Sequence, residues 1–132
     1  MNIFVDTSAL FALLDGDDSN YKKAKAAWAD ALKPGTSLVT TNYVLLECAV
    51  LIQGRLGMDA LRGFHNDILP LIGVEWISEE IHARAVSALL AASKRSLSLV
   101  DCASFEVMRA LGLSKALCFD PHFTEQGFSR IP

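Results

Sequence analysis

The stretch "NIFVDTSALFALL", residues 2–14, joins two secondary-structure patterns at a single carboxylate. Residues 2–5 form a short apolar run typical of a buried strand, and residues 7–14 have the density and length of a buried helix. The chain is therefore predicted to turn from strand to helix at Asp6. An Asn at this position would be a simple cap and a Leu would belong to a core, so the charged carboxylate needs a separate explanation.

The same alternation of strand and helix continues along the chain. Further strands are predicted at residues 37–40, 74–77 and 115–119, and the tail "GFSRIP" is compatible with a short edge strand. Helices are predicted over residues 17–33, 41–53, 57–72 with a break near Pro70, 78–94, and 96–112. Residues 120–123, "DPHF", are predicted to form a turn. The pattern indicates one α/β domain over residues 1–132, with a mostly parallel sheet covered on both faces.

The composition limits the classes of function. A chain of 132 residues fits one domain with a real core. With 52% apolar residues and a positive mean hydropathy, either some elements are buried all round or one face is reserved for a partner. A homo-oligomer or a bound regulator is therefore expected. The net charge of -3 and the pI near 5.5 argue against a protein that coats nucleic acid nonspecifically. They do not exclude a nuclease whose bound metal supplies positive charge locally.

The N-terminus and the cysteines predict a cytosolic protein. "MNIF" lacks the basic start and the apolar stretch of a secretion signal, and no apolar run approaches the length of a membrane span. Cys48, Cys102 and Cys118 stand singly in apolar contexts. We expect them to be small buried hydrophobes in a reducing compartment rather than disulfides or zinc ligands.

Four of the fifteen acidic residues are flanked by residues that belong in a core. They are Asp6 in "FVDTSAL", Glu47 in "VLLECAVL", Asp101 in "SLVDCASF" and Asp120 in "LCFDPHF". Burying an unpaired carboxylate costs on the order of 3 kcal/mol or more, so such groups are normally paired, hydrogen-bonded or bound to metal. These four are the candidate functional residues.

Three of the four carboxylates also have a purely structural explanation. Asp6 could cap the helix that it precedes, and Asp120 could start a turn. Asp101 follows Ser98 by three positions, which is the spacing of a capping box in which the carboxylate reaches back to the serine amide. Taken singly, a cap explains Asp6 and a turn explains Asp120 better than catalysis does, and the capping box explains Asp101 about as well.

Glu47 has no such explanation. It falls in the middle of a predicted helix, where no cap is needed, with apolar residues on both sides. A buried glutamate would require a basic partner, and the nearest, Arg55, lies eight residues away, more than two turns along the helix. Glu47 therefore favours a shared acidic site.

The four carboxylates together predict a metal site. Asp6 and Asp120 fall at the C-terminal ends of predicted strands, where open parallel sheets place their ligands, and Glu47 and Asp101 would reach the same edge from flanking helices. Mutual repulsion would raise their pKa values, and a divalent cation would neutralise them. All-oxygen ligands favour Mg²⁺ or Mn²⁺ over zinc, and such a site suits phosphoryl chemistry.

The four sequence blocks resemble the PIN-domain family, and within it the small VapC-like ribonuclease toxins. The blocks are "FVDTSAL", "TNYVLLE", "LSLVDCASFEVMRALG" and "ALCFDPHFTEQGF", and their order and spacing span essentially the whole chain. The resemblance implies a PIN-like three-layer α/β/α fold with a short, mostly parallel central sheet. It also implies a Mg²⁺- or Mn²⁺-dependent endoribonuclease, the toxin of a type II toxin–antitoxin system, with RNA as substrate, a cognate antitoxin and a homodimeric state.

The resemblance also assigns roles to individual residues. Metal binding and catalysis fall to Asp6, Glu47, Asp101 and Asp120. The small hydroxyls of Thr7 or Ser8, and of Ser98, are implied as supporting groups that hydrogen-bond a carboxylate or a water.

Two other functions are compatible with a short acidic α/β chain. A phosphoacceptor receiver domain would need paired acids after the first strand and a lysine after a late strand, whereas this chain has only Asp6 and, late, Asp120. A catalytically silent PIN-like module that binds RNA or protein is a second alternative, and the intact acids count against it.

The remaining charged residues are given structural interpretations. His122, two residues after Asp120, is expected to be a turn residue rather than a phosphate contact. His65 and His82 are expected on helix surfaces. Lys94 and Arg95 either lie at the rim of the crevice, where they would contact an RNA backbone, or simply follow the preference of basic residues for a helix C-terminus.

Overall fold

Five short strands build one parallel sheet in the computed structural model, which describes all 132 residues. The strands are β1 (Asn2–Val5), β2 (Ser37–Thr41), β3 (Gly73–Glu75), β4 (Lys115–Leu117) and β5 (Ser129–Ile131). Their order in the sheet is β3-β2-β1-β4-β5, and every neighbouring pair is parallel. The predicted strands, including the edge strand in the tail, are confirmed, and the sheet is wholly rather than mostly parallel.

Seven α-helices flank the sheet. They are α1 (Thr7–Leu14), α2 (Tyr21–Ala31), α3 (Asn42–Leu56), α4 (Met58–Gly63), α5 (Glu79–Ala92), α6 (Leu99–Leu111) and α7 (His122–Glu125). A π-helical turn and a 3₁₀ turn, Phe64–Ile68 and Leu69–Leu71, continue the chain from α4 towards β3. Pro70 lies in the 3₁₀ turn, so the predicted break in this helix is confirmed.

The central strand shows that both faces of the sheet are covered. Successive side chains of a strand point to opposite faces, and Ile3, Phe4 and Val5 are all buried. A continuous apolar run without alternation is the pattern of a parallel strand packed between two helical layers. The α/β class and the three-layer arrangement predicted from the sequence are therefore confirmed.

Two strands end earlier than predicted because their backbone amides bond to side chains of other elements. The strand predicted over residues 74–77 ends at Glu75, since the amide of Ile77 donates to Asn42 Oδ1 at 2.7 Å. The strand predicted over residues 115–119 ends at Leu117, since the amide of Phe119 donates to Ser8 Oγ at 2.9 Å. Asp120 consequently lies in the loop after β4, three residues beyond the strand end.

Two helical segments also differ from their predicted extents. The helix predicted from residue 17 begins only at Tyr21, because Asp18 forms a turn by accepting a hydrogen bond from the Asn20 amide. The turn predicted at residues 120–123 is present, since the amide of Phe123 donates to the carbonyl of Asp120 at 3.4 Å, but it continues into α7, which was not predicted. The buried ring of Phe123 anchors this short helix to the core.

The three cysteines are free and buried, as predicted. Burial raises the pKa of Cys48 and of Cys118 to about 12, and it also raises that of Cys102, so the thiols are neutral packing groups. No helix of the protein is both long enough and apolar enough to cross a membrane.

Candidate active site

Three of the four predicted carboxylates meet at the C-terminal edge of the sheet. Asp6 follows β1 directly, Asp120 lies in the loop after β4, and Asp101 belongs to the first turn of α6. Burial is the main cause that raises the pKa of Asp6, and the nearby negative charges of Asp101 and Asp120 raise it further, so the three carboxylates interact. The topology thus brings together residues that lie as much as 114 positions apart in the sequence.

Asp6 is held by the first turn of the helix that it precedes. Its Oδ2 accepts hydrogen bonds from the Ser8 amide at 3.2 Å and from the Ser8 hydroxyl at 2.7 Å. The same Ser8 oxygen accepts from the amide of Phe119. The structural explanation for Asp6 as a helix cap is therefore correct, and Ser8 also connects this carboxylate to the loop that carries Asp120.

The carboxyl group of Asp6 is strongly perturbed. Its burial raises the pKa from 3.8 to about 7, against the opposing effect of the two hydrogen bonds from Ser8. A cap alone does not require a buried charge, because serine or asparagine caps a helix equally well. A strongly raised pKa of a buried carboxyl group is typical of a functional site.

Asp101 forms the predicted capping box. Its Oδ2 accepts from the Ser98 amide at 3.1 Å, and its own amide donates to Ser98 Oγ at 3.0 Å. Burial raises the pKa of Asp101, and the charge of Asp120 raises it further. The capping box therefore fixes the side chain of Asp101 against a neighbouring carboxylate.

His122 belongs to this cluster, which the sequence-based interpretation as a turn residue missed. Its Nδ1 lies 2.8 Å from Asp120 Oδ1 and 3.9 Å from Asp101 Oδ2. Its amide also donates to Asp120 Oδ1 at 2.9 Å. Asp101, Asp120 and His122 offer ligand atoms that all lie within 4.8 Å of one another. The feature of the sequence that could have placed His122 in the cluster is its spacing of two residues from Asp120.

Glu47 lies beside this cluster without a direct contact to it. It is half-buried in the middle of α3 and lines an apolar cavity of about 450 Å³ together with Leu99 and Val100 from the first turn of α6. It has no hydrogen-bond or ion-pair partner, and Arg55 instead lies over the ring of Phe11. No basic side chain therefore neutralises Glu47.

The supporting residues differ in their contacts. Ser8 donates through its hydroxyl to Asp6, and Ser98 donates through its amide to Asp101. Thr7 Oγ1 is buried without a nitrogen or oxygen partner and lies beside the thiol of Cys48 rather than at a carboxylate. The carboxylate oxygens of Asp6, Asp101 and Asp120 are donors that suit a hard divalent cation.

Three further side chains correct or extend what the sequence predicted. His82 is half-buried and its Nδ1 lies 2.5 Å from the hydroxyl of Tyr43, so the prediction of an ordinary surface residue was wrong. Arg130 in β5 donates to the carbonyl of Phe119 at 3.3 Å, which places a guanidinium next to the Asp120 loop. Exposed Lys94 lies 3.9 Å from Glu125, near the same loop.

The fold and the site together define a nuclease class. An acidic cluster able to hold a divalent cation, at the carboxyl edge of a parallel α/β sheet, is suited to phosphodiester hydrolysis. The sequence matches the PIN domain over residues 3–129, and the chain belongs to the PIN-domain family.

The chain is similar along its whole length to a VapC protein of known activity. It is 34% identical over 130 residues to the 23S rRNA-specific endonuclease VapC20 of Mycobacterium tuberculosis, covering 98% of this chain and 97% of the relative. The crystal structure of that protein, described as a sarcin-ricin loop cleaving toxin, superposes with a TM-score of 0.85 and covers 96% of this chain and 95% of the other. The predicted family and the predicted enzyme class, a ribonuclease, are confirmed.

More distant structures share the fold. The FitAcB structure from Neisseria gonorrhoeae has a TM-score of 0.71 at 16% identity, covering 100% of this chain and 97% of the other. A toxin–antitoxin complex from Klebsiella pneumoniae has a TM-score of 0.62 at 19% identity, covering 90% and 87%. At these identities the similarity concerns the fold alone.

Proposed function

We propose that this protein is a Mg²⁺- or Mn²⁺-dependent endoribonuclease that acts as the toxin of a toxin–antitoxin pair and cleaves the sarcin-ricin loop of 23S rRNA. The observation that carries the proposal is the convergence of Asp6, Asp101 and Asp120, from three separate elements, at the edge where parallel sheets bind ligands. The substrate is inferred from the similarity to VapC20 over essentially the entire chain.

The carboxylates of Asp6, Glu47, Asp101 and Asp120 would hold the cation. A bound Mg²⁺ or Mn²⁺ would supply Lewis acidity to the scissile phosphate and would lower the pKa of the attacking water. The buried position of Asp6 keeps competing water away from its carboxylate. Because Ser8 bonds only to Oδ2 of Asp6, Oδ1 stays available as a ligand.

The supporting residues have positioning roles in the hydrolysis. Water adds its oxygen to phosphorus, one phosphorus–oxygen ester bond breaks, and the leaving oxygen takes up a proton. Ser8 and Ser98 orient the carboxylates of Asp6 and Asp101 through direct hydrogen bonds, whereas the Thr7 hydroxyl lies beside Cys48. These contacts limit the motion of the donor atoms, which is the main contribution that a protein makes at such a site.

The exposed apolar face of α3 supports the proposed protein partners. Leu46 and Val50 are 67% and 62% exposed. Leu46 stands between two cavities of about 450 Å³ each, one lined by Glu47 and the other by residues of α4. Exposed apolar surface of this kind is typical of a protein interface. We propose that this face is covered in a homodimer or by the antitoxin, and that an antitoxin bound beside Glu47 would restrict access of RNA.

The enzymatic proposal is tested with purified protein and an RNA that contains the sarcin-ricin loop, in Mg²⁺, in Mn²⁺ and in EDTA. We expect cleavage only with a cation, and its loss in Asp6→Asn and Asp101→Asn. Asp17→Asn is the matched control, because Asp17 is exposed and lies beyond the far end of α1. Cleavage that survives EDTA, or that both site variants retain, would refute the metal-dependent mechanism.

The substrate and the partners are tested separately. Cleavage of unrelated RNA at the same rate as the sarcin-ricin loop would contradict the proposed substrate but not the nuclease. For the α3 face, Leu46→Glu is compared with Leu32→Glu, which introduces the same charge at an exposed leucine next to α2. We expect only Leu46→Glu to change the molar mass measured by light scattering or to weaken antitoxin binding.

A further inference from the structure

We propose that the imidazole of His122 is itself a ligand of the cation, adding one nitrogen donor to the carboxylate oxygens. This inference rests on the proposed function, because it concerns the same site. Its consequence is a preference of the protein for Mn²⁺ over Mg²⁺.

The ring of His122 faces two carboxylates that come from different elements. Nδ1 is 2.8 Å from Asp120 Oδ1, in the loop after β4, and 3.9 Å from Asp101 Oδ2, on α6. The ring nitrogen therefore faces the same two carboxylates that would hold the cation. Since ligand atoms of all three side chains lie within 4.8 Å of one another, they can share one cation.

The second ring nitrogen has the environment of a ligating histidine. Nε2 lies 3.4 Å from the hydroxyl oxygen of Ser96. Histidines that bind a metal through one nitrogen almost always offer the other to an oxygen atom, which fixes the tautomer and the orientation of the ring. Ser96 is in position for this contact in His122.

The residues before and after His122 fix its position. Its amide donates to Asp120 Oδ1, and its side chain is only 15% exposed. The next residue, Phe123, is fully buried and packs edge-on against Phe105 with ring centroids 5.0 Å apart. A rigid ring next to two carboxylates loses little conformational entropy when it binds a cation.

A nitrogen donor changes which cation the site prefers. Mg²⁺ is bound through oxygen ligands and keeps several waters, whereas imidazole suits transition metals. Removal of the His122 ring should therefore weaken Mn²⁺ binding more than Mg²⁺ binding. Loss of a merely structural residue would weaken both cations equally.

The direct test is pulsed EPR of Mn²⁺ bound to wild-type protein labelled with ¹⁵N-histidine. We expect nitrogen coupling of the strength of a directly bound imidazole, absent from His122→Gln and retained in His65→Gln and His82→Gln. These are the only other histidines of the chain, so the variants assign the signal. The wild-type measurement does not depend on whether a variant folds. Bound Mn²⁺ without such coupling would overturn the role of His122 and leave the proposed function intact.

Calorimetric titration provides the second readout. We expect His122→Gln to lower the affinity for Mn²⁺ by about tenfold or more and to affect Mg²⁺ clearly less, with His65→Gln unchanged for both cations. Equal weakening for both cations, or none for Mn²⁺, contradicts the inference. If wild-type protein binds neither cation, the proposed function fails together with it.

Discussion

Two helices of this protein begin in very different ways. The hydroxyl of Ser78 caps α5 at the surface, and Glu79 and Glu80 follow it in water. The buried carboxylate of Asp6 caps α1 and receives two hydrogen bonds from Ser8. Both residues satisfy orphan amides of the first turn, and a neutral cap does so without burying a charge. The difference shows that helix formation does not account for the charge of Asp6.

The largest effect is expected from removing that charge while the cap is kept. Asp6→Asn should lower the rate of RNA cleavage by more than about a thousandfold, since stabilisation of transition-state charge at a metal site is worth several kcal/mol. Asparagine remains a good cap, so α1 should persist. Initial rates and circular dichroism of the same preparation measure both effects. A variant within tenfold of the wild-type rate would remove Asp6 from the catalytic centre.

The pH dependence of stability should differ between the wild type and Asp6→Asn. The pKa of Asp6 is about 7 in the folded protein against an ordinary value of 3.8, so between these pH values the folded state binds more protons than the unfolded state. Stability of the metal-free protein should therefore fall as the pH rises from about 4 to about 7, by at most about 4 kcal/mol from this group.

Urea unfolding in EDTA at pH 5 and at pH 7.5 measures this contribution. From pH 5 to pH 7.5 the free energy of unfolding should fall more in the wild type than in Asp6→Asn. At pH 7.5 the Asn variant should be the more stable protein. Identical pH profiles would show that burial of Asp6 does not perturb its ionisation.

A smaller effect is expected from the hydroxyl that orients Asp6. Ser8→Ala removes the bond to Asp6 Oδ2 and the acceptor of the Phe119 amide, and should lower Mn²⁺ affinity by about tenfold. The control is Ser104→Ala, because Ser104 is buried but donates only to the carbonyl of Val100 within its own helix. Calorimetric titration of both variants distinguishes a positioning role from a general packing effect.

The smallest effect is expected at the surface cap. Ser78→Ala should lower the free energy of unfolding by about 1 kcal/mol, because the amide of Ile81 loses its acceptor. The rate of RNA cleavage by the folded variant should be unchanged. A large loss of activity in Ser78→Ala would contradict the comparison, because it would mean that the exposed cap of α5 also serves catalysis.

Most of the fold follows from local patterns in the sequence. Apolar runs, cap residues and the glycine at 112 predict β1, α1, α5 and α6 closely, because these elements depend on contacts between neighbouring residues. The strand ends at Glu75 and Leu117 could not be predicted, since each is set by a bond from a distant side chain.

The site shows the same division between local and distant contacts. Asp6 and Asp101 are recognisable because a charge stands among apolar residues, and Glu47 because its helix offers no partner. The sequence places His122 close to Asp120 by spacing alone, but its contact with Asp101 could not be predicted, because it forms only when the loop after β4 packs against α6. Charge in an apolar context can be found from the sequence, whereas closeness between elements requires the fold.

The bond between Ser8 and the amide of Phe119 joins the two ends of the chain across 111 positions. β1 and β4 are neighbours in the sheet, yet β4 is synthesised long after β1. Because a chain leaves the ribosome from its N-terminal side, Asp6 is made 114 residues before Asp120. The acidic cluster can form only after the loop that follows β4 has been made, so a nascent chain that ends before Asp120 lacks the assembled site.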